Sequence, residues 1–143
     1  MASHRGKPNC APPPVPPRSP PLKTEIQKID AIWVHIRNIK KARVFYRDVL
    51  GLKELRASDD EEYAVYQIPR GPWLGIHKQG RKEPGRKAGT VSGVYFKVKD
   101  PRKAAKAIAK RGGKITDRPE KQPWGDWTAT IADPDGNEFV ITT

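Results

Sequence analysis

Cysteine is almost missing from this 143-residue chain: Cys10 stands alone, which excludes an intrachain disulfide framework and a Cys-rich zinc site. A reducing, cytoplasmic setting is the resulting expectation. No apolar run approaches the roughly 20 residues of a membrane helix, so a membrane is not an expected partner. The sequence also lacks a GxSxG nucleophile elbow, a P-loop and a GxGxxG following a strand. Ser92 has no predicted base beside it and Cys10 lies in an irregular segment, so neither is a good nucleophile. Acidic residues are scarce: 16 Asp plus Glu face 28 Lys plus Arg, a net charge of +12. Such a surface attracts polyanions at low salt. With no recognition-helix signature or zinc-finger spacing, nucleic acid is still not the expected partner, and runs such as Arg102, Lys103, Lys106, Lys110, Arg111 and Lys114 read as a solvated helix face.

Proline is the residue in excess, and it is concentrated at one end. Residues 1–24 hold Pro12, Pro13, Pro14, Pro16, Pro17, Pro20 and Pro21, four basic side chains and no acidic one. Each proline fixes φ and removes an amide donor, so this segment is expected to be a disordered basic tail with polyproline II character. It is a linker, or a docking peptide in its VPPRSPP portion. The tail dilutes the 36% apolar content, and residues 25–143 can build one domain around a core.

From Ile29 to Ile36 the alternation predicts a strand, with Ala31, Trp33 and His35 on one face and Ile32, Val34 and Ile36 on the other. Asn38 can cap a helix carrying the stripe Ile39, Ala42, Phe45, Tyr46, Val49 and Leu50, and Gly51 can close it. Strands are predicted next at 52–56, 63–68 and 73–78. The same order then recurs: a strand at 92–98, a helix capped by Asp100 and stopped by Gly113, and strands at 114–116, 127–131 and 138–142. Asn38 and Asp100, Ala42 and Ala104, and Gly51 and Gly113 are all 62 apart; Pro69 and Pro134, Gly71 and Gly136, and Ile76 and Ile141 are all 65 apart. The expected organisation is a tandem βαβββ repeat in one α+β domain: module 1 about 27–78, a basic linker about 79–88, and module 2 about 89–143.

This repeat, with the strings RNIKKARVFYRDVLGLK and ADPDGNEFVIT, resembles the vicinal oxygen chelate superfamily of glyoxalase I, extradiol dioxygenases, methylmalonyl-CoA epimerase, and fosfomycin and bleomycin resistance proteins. The likeness covers about residues 27–143. It implies eight strands forming an open cup with the two helices outside, commonly completed in a homodimer. In metal-using relatives one residue on each of the first, fourth, fifth and eighth strands ligates a divalent ion. Here those positions are Ala31, Gly75, Gly93 and Val140, and none offers a side-chain donor. The expectation is no metal and no cofactor, and with that the metal-assisted chemistry of those enzymes is not expected.

What lines the expected cup is aromatic and polar together: Trp33, Trp73 and Tyr95 as flat walls, with His35, His77 and Lys97 among them. These six are the candidate ligand-binding residues, although aromatics beside small residues also suit a plain packed core. His35 and His77 are in addition candidate acid/base catalysts or, with Glu138 from a second copy, a displaced metal site. Two functions follow: a metal-free protein that sequesters an aromatic, neutral or anionic small molecule, or a superfamily lyase, isomerase or transferase using these histidines. Relatives of the bleomycin-resistance kind favour acidic clefts for a cationic ligand, whereas Lys97 and the basic balance point to an anionic or neutral one.

Overall fold

The computed structural model describes residues 24–79 and 88–143; the proline-rich tail before Thr24 and nearly all of the basic linker lie outside the described residues. Module 1 comprises β1 (Ala31–Ile36), α1 (Ile39–Arg43) continuing as a π-helical stretch (Val44–Val49), β2 (Lys53–Ser58), β3 (Tyr63–Gln67) and β4 (Trp73–Lys78). Module 2 comprises β5 (Val91–Lys97), α2 (Pro101–Lys110), β6 (Lys114–Lys121), β7 (Trp127–Ala132) and β8 (Glu138–Thr142). The strands form two four-stranded sheets, β1-β4-β3-β2 and β5-β8-β7-β6. In each the first and last strands of the module pair in parallel and the remaining pairs are antiparallel, so the duplication seen in the sequence is a duplication of topology.

The helix boundaries follow from local chemistry. Asn38 Oδ1 accepts from Lys41 N at 3.1 Å and Asp100 Oδ1 from Arg102 N at 2.9 Å, each satisfying an amide that the first helical turn cannot. Pro101 opens α2 where its missing amide costs nothing. At the other end the sequence assigns the stop to Gly113, but Gly112 is the residue at positive φ (93°), and Gly113 N then donates back to Ile108 O at 2.8 Å. Gly113 has a different duty: a Cβ there would collide with Ile108 and Val49, so its smallness lets α2 close against the first module. The sequence also underestimates β6, which runs to Lys121. Pro119 disguises it, and an edge strand tolerates a proline because one side of its backbone pairs with nothing.

Both modules share one core. Val34, Ile36, Leu74 and Ile76 point from the first sheet, Ile131, Phe139 and Ile141 from the second, and Phe45, Tyr46, Val49, Ala105 and Ile108 fill the space from the helices. Phe139 stacks on Phe96 with ring centroids 5.2 Å apart and meets Tyr46 edge-on at 6.1 Å. The helix-facing sides of the sheets are therefore committed to packing, and the opposite sides are left open.

A buried polar node joins the modules. The sequence reads Asp133-Pro134-Asp135-Gly136-Asn137 as a tight turn, and Gly136 does adopt positive φ (88°). The turn does more. Asn137, fully buried, accepts from Gly89 N (2.8 Å) and Thr90 N (3.0 Å) and donates to His35 O (2.7 Å) and Asp133 Oδ2 (2.8 Å). Asp133 Oδ2 also accepts from the Tyr46 hydroxyl at 2.7 Å, and Asp135 takes the Arg37 amide at 3.1 Å. Burial raises the Asp133 carboxyl above its usual range, against the opposing pull of the Asn137 and Tyr46 donors. Burial likewise pushes the Tyr46 phenol up, so it stays a donor. Outside the node, Arg43 grips Glu54 with two bonds (Nε to Oε2 3.0 Å, Nη2 to Oε1 2.7 Å), and Tyr66 donates to the same carboxylate at 2.9 Å. Those contacts, Arg43 first, hold the Glu54 carboxyl below its usual value.

Two outcomes are expected. Asn137→Ala leaves Gly89 N, Thr90 N and His35 O without that partner and should lower urea-denaturation stability by about 3 kcal/mol or more, whereas Tyr46→Phe should cost only about 1–2 kcal/mol. Because the Glu54 pKa is lowered on folding, its contribution is complete above the unfolded value near 4.5 and is lost as pH falls through the folded value. Thermal midpoints of Glu54→Gln and the parent should thus converge in acid and separate near neutrality; a constant gap across that range would contradict the assignment.

Candidate functional site

The open face of the first sheet is set by the parallel β1-β4 ladder. Its register places Ala31 beside Trp73, Trp33 beside Gly75 and His35 beside His77. In the second sheet Tyr95 pairs with Val140 and Lys97 with Thr142, the counterparts one module later of Trp33–Gly75 and His35–His77. Trp33, Trp73 and Tyr95 are 44%, 48% and 44% exposed, large aromatic side chains held on the side of the sheets away from the core.

Gly75 explains how Trp33 is held. A Cβ on Gly75 would lie 2.5 Å from Cε3 and Cζ3 of the Trp33 indole, so the ring lies directly on the glycine backbone with its other side toward solvent. Next to it the His77 ring is 5.3 Å from Trp33 and 4.4 Å from His35, the two imidazoles meeting edge to face. His35 is only 6% exposed and His77 is half-buried, with His77 Nδ1 3.3 Å from Lys78 O. Trp33, His77 and His35 thus form one continuous row of rings. Lys97 is exposed at the end of β5.

Gly93 departs from the simple alternation. The β5-β8 register slips between Val91 and Tyr95, and Gly93, at φ 76°, sits in that irregularity and not in the ladder. Ser92 plugs it, its hydroxyl donating to Glu138 O at 2.6 Å and accepting from Val94 N at 3.1 Å. Glu138 pairs with Val91, one step along the ladder from Tyr95–Val140 and two from Lys97–Thr142. The sequence missed the contribution of β6 and β7 to this face: Asp117 pairs with Thr130 and Glu120 with Thr128. The signal was present as the alternating Thr128 and Thr130, but their partners lay in a stretch that Pro119 made look like a loop.

Ala31, Gly75 and Val140 bring no side-chain donor, the space over Gly75 holds an indole, and among the described residues no group of three His, Cys, Asp or Glu side chains is placed to hold a metal.

One sheet order, built twice as β1-β4-β3-β2 and β5-β8-β7-β6 and backed by a shared core, defines a paired βαβββ scaffold. Residues 28–141 match the Glyoxalase/Bleomycin resistance protein/Dioxygenase superfamily, and the chain belongs to that family. Among solved structures it is similar to a member of this superfamily from Sphaerobacter thermophilus DSM 20745, with 25% identity, a TM-score of 0.73, and 83% of this chain and 98% of that one covered. It is also similar to a glyoxalase/bleomycin resistance protein from Catenulispora acidiphila DSM 44928 (24% identity, TM-score 0.63, 81% and 97% covered). A third similar fold is TnmS3, an antibiotic binding protein from Streptomyces sp. CB03234 (21% identity, TM-score 0.69, 83% and 97% covered). No curated protein matches the chain.

Gly75→Ala should evict the Trp33 indole. Since the ring is half-exposed and can swing outward, the stability cost should stay near 1–2 kcal/mol, while the near-UV circular dichroism of the tryptophans changes. The same substitution made in a Trp33→Ala background should leave that spectrum unaltered; an equal change in both backgrounds would show that the two residues do not touch.

Proposed function

We propose that this protein binds and sequesters a small molecule with an aromatic portion, neutral or anionic overall, without a metal ion. The observation that carries this reading is the exposure of Trp33, Trp73 and Tyr95 on sheet faces that the fold leaves open. A large aromatic side chain held flat and half-bare is a stacking surface, and three of them offer far more apolar contact than a soluble surface needs. Lys97, exposed on the same face as Tyr95, supplies the charge that favours an anionic group. His35 and His77 supply hydrogen bonds that orient the ligand. An antibiotic-binding protein of the same fold supports the binding of small molecules in general. The protein acts in the cytoplasm as a homodimer, a second copy covering the open faces so that each cleft is enclosed.

A second reading rests on the 4.4 Å approach of the His35 and His77 rings: an acid/base pair serving a lyase, isomerase or transferase reaction. The two are separated by titrating the metal-free protein with 8-anilinonaphthalene-1-sulfonate, an anionic planar probe, while following tryptophan fluorescence. Saturable quenching at a mass of two chains is expected, weakened about tenfold or more in Trp33→Ala and only slightly in His35→Gln. Stoichiometric nickel, zinc, iron or manganese that is lost in His77→Ala would overturn the binding reading in favour of the enzyme.

A further inference from the structure

The proline-rich segment is tethered to the molecule at one particular place. Asp30 O accepts from Trp73 N at 3.0 Å, which carries the parallel β1-β4 pairing one residue back beyond Ala31. Residues 24–29 therefore lead from the proline-rich segment to the end of the ladder where Trp73 stands. Ile29, on the same alternation as Ala31 and Trp33, is 65% exposed and continues the apolar strip toward that entry.

The strip and the segment match in chemistry. The open rows of β1, β4 and β3, which end at His35, His77 and Tyr63, contain no Lys, Arg, Asp or Glu. Such a face gives a charged peptide nothing to pair with, and gives an apolar one two half-bare indoles. Residues 11–17 read APPPVPP, an apolar run without a charge.

They also match in spacing. Trp33 pairs with Gly75 and Trp73 with Ala31, so the two tryptophans sit on neighbouring strands offset by two residues. At about 3.3 Å per residue and about 4.8 Å between strands, their Cα atoms are roughly 8 Å apart. A polyproline II segment presents the same edge every third residue, about 9 Å along its axis. Pro13 with Pro16, and Pro14 with Pro17, are such pairs. Pro17 precedes Asp30 by 13 positions. That length reaches up to about 45 Å, more than twice the roughly 20 Å of a strand like β1, so the chain can turn back along the strip.

We propose that residues 13–17 dock on the Trp33 and Trp73 strip of their own chain and compete there with the ligand. Proline loses little conformational freedom on docking, and its ring packs flat against an aromatic face. The tether gives the segment an effective concentration on the order of millimolar, so a weak contact is enough. The protein thus keeps its aromatic face covered until a ligand displaces the segment. This regulatory role rests on the reading of that face as the ligand's binding surface, whereas the docking rests on the strip, the tether and the proline spacing alone.

Cys10, the single cysteine, allows the full chain to carry a nitroxide spin label at a natural position beside the proline run. In the nitrogen-15-labelled protein, the indole N–H signals of Trp33 and Trp73 should broaden and regain intensity when the nitroxide is reduced, with Trp124 and Trp127 much less affected. Replacing Pro13→Ser, Pro16→Ser and Pro17→Ser together should abolish the selective broadening. The same replacement should tighten binding of 8-anilinonaphthalene-1-sulfonate about two- to tenfold, because the face is no longer partly occupied. Equal broadening of all four indoles, broadening that survives the serine replacements, or unchanged probe affinity would each overturn the proposal. So would broadening of equal strength when spin-labelled unenriched chain is mixed with enriched Cys10→Ser chain, since the segment would then belong to another copy. Selective broadening with no probe bound by either chain would uphold the docking and sink the small-molecule reading; tight probe binding without selective broadening would do the reverse.

Discussion

Asn137 is the constraint on which the two modules depend. One amide side chain spends both donors and its oxygen on four groups: a strand carbonyl of module 1, two amides at the entry to module 2, and the carboxylate of Asp133. Each of these would otherwise be a polar atom stranded in a dry interior. Apolar packing alone would let the sheets slide against each other at small cost, since side-chain contact is non-directional. The node makes the relation directional, and Tyr46, reaching from α1 to the same carboxylate, extends it into the helix layer.

This division of labour frees the other sides of the sheets. Because the core is complete on the helix side, the residues of opposite alternation on β1, β4, β5 and β8 are released from packing and can be chosen for recognition. Trp33 sits on bare backbone at Gly75, and the His35 backbone serves the node through its carbonyl while its side chain meets His77. His35 is thus tied to both the module junction and the open face.

Much of this was legible from pattern alone. The alternation in 29–36, the caps Asn38 and Asp100, and the spacing between repeats carried the topology, because period and cap chemistry are local properties. The closeness of His35 and His77 followed from the parallel pairing implied by the repeat. What stayed hidden was non-local or irregular. Nothing in the string DPDGN reveals that Asn137 reaches a carbonyl 102 residues away. The bulge that takes Gly93 out of the ladder, and the slips that swing Glu120 onto the face of Asp117, break the period of two on which alternation arguments rest. Gly112 and Gly113 are adjacent, and only backbone geometry divides stopping from close packing between them.

The contact between Gly75 and Trp33 makes one unit of two positions that lie far apart in the chain. A side chain at position 75 would meet the indole before it met anything else, and removal of the tryptophan would uncover a bare glycine backbone. Neither residue can be exchanged without disturbing the other, so the two are expected to vary together, as a pair selected jointly and not as two independent positions of the surface.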